Sequence, residues 1–191
     1  MGLYSIAVSF AEKMVSPQRF CHSVNVAEAA FSIARKVGVD PDRAYLAGIL
    51  HDIARDFSPG ELILAAREEG IILRKEERAC PILLHGKVAA RIVQARLGIK
   101  DEGVLLAIAS HATGRPGWTR LEQVIYVADK VEPGRDYPGV EYLREALDRG
   151  DFEGALVESL RATITYVARE EKGLVDPQTV VVFNEISQVK A

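Results

Sequence analysis

Residues 46–52 read Leu46-Ala47-Gly48-Ile49-Leu50-His51-Asp52, an apolar run that ends in an imidazole and a carboxylate. Upstream, Asp40-Pro41 fits an N-cap and a first helical residue, which predicts a helix from there through Ala54. Adjacent helical residues point about 100° apart. His51 and Asp52 can therefore reach one ion only if it lies near the helix end, in the groove between neighbouring helices.

The same setting recurs at other ionisable residues, each at or near a helix end and beside apolar or small residues. Taken singly, each is more often a core histidine with a hydrogen-bond partner or a capping aspartate. Taken together they favour a metal centre, because each buried polar group left unpaired costs ~1–3 kcal/mol. Imidazole and carboxylate ligands suit iron, manganese, cobalt, nickel or zinc. The candidate ligands are His22, His51, Asp52, His85, His111 and Asp129.

These candidate ligands could serve two ions. His22 and Asp129 could complete the set that His51 and Asp52 begin. His85 and His111 then remain for a second ion, with Asp52 bridging through its other oxygen. Two ions ~3.5–4 Å apart would clamp a phosphate and supply a hydroxide as nucleophile.

Several cations lie within a few residues of a candidate ligand, in sequence or across a turn, and could bind phosphate. Any single one is more often a solvated surface charge. Arg115 and Arg135 are favoured because both lie in Gly/Pro-rich loops, which commonly carry binding residues. Trp118 and Tyr137 could stack on a base, although isolated aromatic residues more often pack in the core. The candidate phosphate-binding residues are Arg19, Arg55, Lys87, Arg115 and Arg135.

Helical periodicity dominates the rest of the chain and predicts an all-α, single-domain helical bundle. Thr119 and Glu122 form a capping-box pattern, and residues 132–139 predict a loop. Val180–Phe183 is β-branched but has no partner strand, so a helix or an extended tail is expected. Helices are predicted over residues 3–14, 19–37, 40–54, 58–69, 87–97, 102–111, 119–130, 140–147 and 152–170, with a last segment from Pro177.

The length and the net charge of the chain limit the classes of protein to which it can belong. The 191 residues suggest one domain over 1–191, with a core at about 19–130 and C-terminal helices at about 140–188 packed on it. The 24 basic and 27 acidic residues give a net charge of −3, which excludes a general nucleic-acid or membrane-surface binder. Cys21 and Cys80 form no CxxC pair, which favours a reducing compartment over a disulfide framework. No apolar stretch reaches the ~20 residues that a bilayer-spanning helix needs. We therefore expect a cytoplasmic protein.

The ordered set His22…His51-Asp52…Asp129 resembles the HD-domain metal-dependent phosphohydrolases, and His85 and His111 resemble the ligands of its two-metal subset. The surrounding sequence is similar to the YqeK-type symmetrical diadenosine tetraphosphatases from about Arg19 to Asn184, and residues 113–140 are the most discriminating. The stretches that carry this resemblance are residues 19–23, 46–52, 84–86, 111–117, 124–129, 132–135 and 137–140.

The resemblance implies a helical HD fold and cleavage of diadenosine tetraphosphate into two ADP by metal-activated water. It also implies two divalent metal ions at the six candidate ligands, iron first among them, with His51 and Asp52 central to catalysis. Two positions depart from the family pattern and bear on phosphate-chain contacts. Arg55 stands where lysine is expected, and Lys87 stands where family members often have proline.

Alternatives remain open at this point. Another HD phosphohydrolase could act on a nucleoside monophosphate or a guanosine alarmone. A degenerate HD domain could bind a nucleotide without turnover, although a complete set of ligands argues against this. A homodimer could form through an apolar face of the first helix or of the C-terminal segment.

Overall fold

The computed structural model describes residues 2–169 and 173–188. Within these residues the chain forms eleven α-helices and one short 3-10 helix and no strand, which confirms the predicted all-α fold. The helices are α1 (Leu3–Met14), α2 (Pro17–Val37), α3 (Pro41–Leu50), α4 (Pro59–Glu68), α5 (Lys75–Ala79), the 3-10 helix (Pro81–Leu84), α6 (His85–Leu97), α7 (Glu102–Ser110), α8 (Arg120–Val131), α9 (Val140–Asp148), α10 (Phe152–Arg169) and α11 (Pro177–Gln188).

Local sequence signals fix most helix ends. Asp40 caps α3 by accepting hydrogen bonds from the backbone N–H groups of Asp42 and Arg43. The capping box predicted at Thr119 and Glu122 is present at the start of α8. The β-branched residues after Pro177 lie in α11, where Val182 is fully buried.

The helix predicted through Ala54 ends earlier, at Leu50. Beyond it the backbone continues in tight turns, in which Ile53 N donates to Leu50 O and Arg55 N donates to Asp52 O. Each bond spans three residues rather than four, so the chain winds more tightly than an α-helix. His51 and Asp52 lie in this tightened stretch.

Small residues allow close helix approaches beside these turns. A Cβ atom on Gly48 of α3 would lie 2.7 Å from Ala27 Cα on α2, so only glycine permits this spacing. A Cβ atom on Gly86 of α6 would lie 2.8 Å from the carbonyl oxygen of Ile108 on α7. These contacts bring the end of α3 against the middle of α2, and the start of α6 against the end of α7.

Helix α8 crosses the centre of the molecule and packs against α2, α3, α7, α9 and α10. Its side chains from Val124 to Asp129 are all buried. The C-terminal helices α9 and α10 pack on α8 and on each other. The predicted division of 1–191 into one core and packed C-terminal helices stays a prediction.

None of the described helices is long and apolar enough to span a lipid bilayer.

Candidate metal centre

Five helices bring the six predicted ligands to one place. His22 comes from α2, and His51 and Asp52 come from the turn after α3. His85 begins α6, His111 follows the end of α7, and Asp129 lies in the last turn of α8. We call these six residues the His-Asp cluster. All are buried except His22, whose side chain is 12% exposed.

Asp52 lies between two pairs of imidazoles. Its Oδ1 atom lies 3.2 Å from His85 Nε2 and 3.5 Å from His111 Nε2. Its Oδ2 atom lies 3.6 Å from His51 Nε2 and 3.7 Å from His22 Nε2. Each oxygen of one carboxylate therefore faces a different pair of nitrogens.

Asp129 completes the side that carries His22 and His51. Its Oδ1 atom lies 3.1 Å from His22 Nε2 and 4.0 Å from His51 Nε2. Ligand atoms of His22, His51 and Asp129 lie within 4.8 Å of one another, which is close enough to hold an ion. The same holds for His51, Asp52 and His111.

Hydrogen bonds fix the tautomer of the imidazoles. A carbonyl oxygen can only accept, so an Nδ1 atom that contacts one carries the proton and leaves the Nε2 lone pair free. Three imidazoles donate from Nδ1 to the carbonyl oxygen three residues earlier. The distances are 2.6 Å from His51 to Gly48, 2.5 Å from His85 to Ile82 and 2.8 Å from His111 to Ile108.

His22 is held differently. Its Nδ1 atom lies 3.1 Å from Oε1 of Glu132, a buried carboxylate just after α8. The other oxygen of Glu132 accepts hydrogen bonds from Asn25 Nδ2 at 3.0 Å and from Gly134 N at 2.5 Å. These donors hold the carboxylate in place against the ring of His22.

Two observations show that the cluster fits metal ions. The Nε2 atoms of His22 and His51 are buried without a hydrogen-bond partner, which costs free energy unless an ion binds them. The Nε2 atoms of His85 and His111 lie 2.9 Å apart. With both protons on Nδ1, two lone pairs would face each other there, and a shared cation removes that repulsion.

For Asp52, Asp129, His51 and His85 the electrostatics favour the charge states that bind metal. Burial opposes ionisation of Asp52, yet the neighbouring imidazoles, His51 first, hold the pKa of this carboxyl well below its usual range. Burial likewise opposes ionisation of Asp129, and Lys130 holds the pKa of that carboxyl well below its usual range. Burial lowers the pKa values of His51 and His85. Ionised carboxylates and neutral imidazoles are the forms that bind metal.

The cluster opens into a cavity of about 920 Å³, a size suited to a small-molecule ligand. Three predicted phosphate-binding residues line it: Arg19, Arg55 and Arg135. Arg19 Nη1 lies 3.0 Å from Oδ2 of Asp52, and Arg135 Nη2 lies 2.5 Å from Oδ1 of Asp129. Arg55 has no ion pair within the part of the chain that the structure describes.

The other two predicted phosphate-binding residues lie outside the cavity lining and hold carboxylates. Lys87 Nζ lies 2.7 Å from Oε1 of Glu77, which is fully buried. Arg115 binds both oxygens of the buried Glu122, at 2.6 Å from Nε and 2.9 Å from Nη2. Both cations are therefore already neutralised by buried partners.

Sequence reasoning missed two residues of the site. Lys130 is half-buried, lines the cavity and lies 2.8 Å from Oδ2 of Asp129. Glu132 orients His22, as described above. Both residues lie within one helical turn of the candidate ligand Asp129, one and three positions after it, and this proximity was the signal in the sequence that could have found them.

Trp118, a candidate for stacking on a base, packs edge-on against Tyr126 at a ring distance of 5.4 Å and is a core residue.

Comparisons with known proteins agree with this geometry. A family model described as HD domain matches residues 19–134. A protein of Bacillus subtilis named symmetrical bis(5'-nucleosyl)-tetraphosphatase is 36% identical over 180 residues, covering 93% of this chain and 94% of the relative. A protein of the same name from Halalkalibacterium halodurans is 34% identical over 184 residues, covering 94% and 95%.

A solved structure gives the same result. It is described as a predicted HD superfamily hydrolase involved in NAD metabolism, from Clostridium acetobutylicum. It superposes with a TM-score of 0.91 at 33% identity and covers 97% of both chains. Since the HD model and these near full-length relatives agree with the His-Asp cluster, this protein belongs to the HD-domain family of hydrolases, in the branch of the symmetrical bis(5'-nucleosyl)-tetraphosphatases.

Proposed function

We propose that this protein hydrolyses diadenosine tetraphosphate symmetrically into two ADP. The relatives that carry the name of this activity match nearly the whole chain. The observation that carries the proposal is the placement of Asp52, whose two oxygens face separate imidazole pairs beside a cavity large enough for a nucleotide.

The proposed cofactor is a pair of divalent metal ions, with iron first and manganese, cobalt, nickel or zinc as the alternatives. The proposed ligands of one ion are His22, His51, Asp52 and Asp129, and those of the other are His85, His111 and Asp52. When bound, the two ions supply an activated water and neutralise the charge that develops on the phosphoryl oxygens. His51 and Asp52 are thus the proposed catalytic centre.

The chain's own cations would orient the polyphosphate. Arg19 and Arg135 line the cavity and touch the carboxylates of the cluster, so they can hold phosphate oxygens beside it. Arg55 can bind phosphate without first giving up a partner among the described residues. For Lys87 and Arg115 the role stays a prediction, because each would have to exchange a buried carboxylate for phosphate.

Product analysis tests the proposal. Protein purified with its native metal retained is incubated with diadenosine tetraphosphate, and the products are separated by ion-exchange chromatography. ADP as sole product is expected. ATP together with AMP would refute symmetric cleavage, and free phosphate released from AMP or dAMP instead would indicate a nucleoside monophosphatase.

Replacing Asp52 tests the centre itself. Asp52→Ala removes a carboxylate that faces all four imidazoles, so we expect turnover to fall at least a thousandfold and the metal content per chain to fall. Asp148→Ala, at a surface pair with Lys36, is the matched control and should behave as wild type. Full activity of Asp52→Ala would exclude Asp52 as a bridging ligand.

We infer a cytoplasmic protein from its two free thiols, Cys21 and Cys80, which are typical of a reducing compartment. The homodimer stays a prediction. Leu3, Tyr4 and Ile6 give α1 an exposed apolar face that could support it.

A further inference from the structure

The cavity extends beyond the His-Asp cluster along one face of α10. Glu158, Ala162, Tyr166 and Arg169 recur at spacings of three or four residues, and all four line the cavity. Helical residues at these spacings share one face. At 1.5 Å per residue this face extends roughly 16 Å along the helix axis, so the cluster accounts for only part of the cavity.

An aromatic ring lies on this face without a role in the core. Tyr166 lines the cavity, yet 66% of the residue is exposed. Tyr142 on the neighbouring helix α9 also lines the cavity and is 52% exposed. An exposed aromatic face beside a cavity offers a surface for stacking of a nucleobase, which is typically worth ~1–3 kcal/mol per base.

Cations lie close to these rings in the sequence. Arg169 follows Tyr166 by three residues and has no ion pair among the residues that the structure describes. Arg161 also lines the cavity, pairs with Glu158 and lies 5.7 Å from the ring centroid of Phe183. Guanidinium groups match phosphate oxygens, so one face of α10 combines a site for a base with a site for phosphate.

This face lies outside the part of the chain that the HD family model matches, which ends at residue 134. Chemistry shared by HD hydrolases resides in residues 19–134, whereas a feature on α10 is free to set the choice of substrate. A symmetric cut at the middle of a tetraphosphate also requires both nucleotide halves to be held, so that the central anhydride lies at the cluster. Arg19 and Arg55 line the cavity from α2 and the turn after α3, and α10 provides a separate wall.

We propose that the face of α10 is the subsite for one nucleoside diphosphate half of the substrate, with Tyr166 stacking on the base and Arg169 contacting phosphate. This inference rests on the proposed function. It assigns specificity for a dinucleotide to the C-terminal helices rather than to the metal centre.

The test measures ADP binding and turnover in Tyr166→Ala. By titration calorimetry, metal-loaded wild type should bind two ADP per chain and Tyr166→Ala only one in the same concentration range. The kcat/KM for diadenosine tetraphosphate should fall at least tenfold, about 1.4 kcal/mol. Tyr166→Phe keeps the aromatic face and should restore both values. Ile72→Ala, at a residue that is 89% exposed and outside the cavity lining, is the control and should leave both values at wild-type levels.

A probe without a base separates stacking from a general distortion of the site. Tripolyphosphate should inhibit wild type and Tyr166→Ala with equal affinity. Any one of three results would overturn the subsite. Tyr166→Ala could still bind two ADP per chain, it could keep the wild-type kcat/KM for diadenosine tetraphosphate, or it could lose as much affinity for tripolyphosphate as it loses in kcat/KM. If wild type fails to cleave diadenosine tetraphosphate, the proposed function fails instead, and the ADP stoichiometry still decides on the subsite.

Discussion

Glu132 is the acceptor that holds His22, whereas backbone carbonyls hold the other three imidazoles. A carboxylate that accepts from a ligating imidazole orients the ring and makes it a better ligand, and loss of such a partner typically weakens metal affinity ~10–100-fold. We therefore expect Glu132→Gln to weaken binding of one ion by about this factor. Metal competition with a chromophoric chelator measures the change.

The control is Glu141→Gln, because Glu141 pairs with Arg144 on the surface and is 73% exposed. Its metal affinity should equal that of wild type. Equal affinities in Glu132→Gln and Glu141→Gln would show that Glu132 has no part in holding the ion.

At this scale the sequence predicts which imidazoles and carboxylates meet in the His-Asp cluster better than it predicts the partners of the cations. His51, His111 and Asp129 each end an apolar run, and that local pattern is visible in the sequence. The sequence does not show in the same way which carboxylate a lysine or arginine side chain pairs with. Lys87 is paired with Glu77, ten residues earlier and on another helix, and only the folded chain shows this.

At the scale of the secondary-structure elements, the close contact of α6 with α7 depends on Gly86. A Cβ atom there would lie 2.8 Å from Ile108 O, 2.9 Å from Ala109 O and 3.2 Å from His111 Nδ1. Gly86→Ala should push the two helices apart, lower the free energy of unfolding by about 1–3 kcal/mol and separate His85 from His111. Chemical denaturation and metal content measure the two effects.

Gly60→Ala is the matched control, because that glycine also lies in a helix and an added Cβ would meet nothing within 4 Å. Alanine is the better helix former there, so the variant should be as stable as wild type or slightly more stable. A Gly86→Ala protein that matches Gly60→Ala in stability would contradict the close packing of α6 on α7.

The sequence predicts most of the helices from periodicity, but it predicts neither α5 nor some helix boundaries. Helix α5 was not predicted, because Lys75-Glu76-Glu77-Arg78 reads as a solvated charge run. In the structure Glu77 is fully buried, because Lys87 on α6 and Arg74 just before α5 neutralise it. Helix α3 stops before Ala54 because the chain tightens into three-residue turns around His51 and Asp52.

At the scale of the whole molecule, a network of charged side chains joins α5, α6 and the start of α11. Arg74 binds both oxygens of Asp176 at 2.9 and 2.6 Å and also pairs with Glu77 at 3.1 Å. Burial opposes ionisation of Glu77, but Lys87 and Arg74 hold the pKa of this carboxyl below its usual range. Its ionised form therefore stabilises the fold at neutral pH.

The sign of the pH effect follows by linkage. In the unfolded chain Glu77 binds its proton near pH 4.5, and in the folded chain it does so only at lower pH. Its contribution is thus complete above about pH 4.5 and is lost as the pH falls through the lowered pKa. We expect Glu77→Gln to unfold more easily than wild type at pH 7, with a difference that shrinks below pH 4.5. Denaturant titrations from pH 7 to 3 test this, and a constant difference would disprove it.

Metal removal should also act on the whole fold, because the proposed ligands come from five helices. A ligand that binds only the folded state raises its stability. We expect chelation to lower the Tm of wild type by several degrees and metal addition to restore it. Asp52→Ala should show a much smaller shift, and equal shifts in both proteins would place the bound ion elsewhere.

Three imidazoles are anchored to carbonyls of their own turns, and this has a consequence for ion exchange. Rings held in this way keep their orientation whether or not an ion is bound, so replacing one divalent cation by another requires little rearrangement of the protein. Among the four imidazoles, only His22 is held by a side chain far away in the sequence, that of Glu132, and it is also the most exposed of the four. Incoming and departing ions would therefore pass by His22, and the supply of each divalent cation would decide which element occupies the proposed pair of sites.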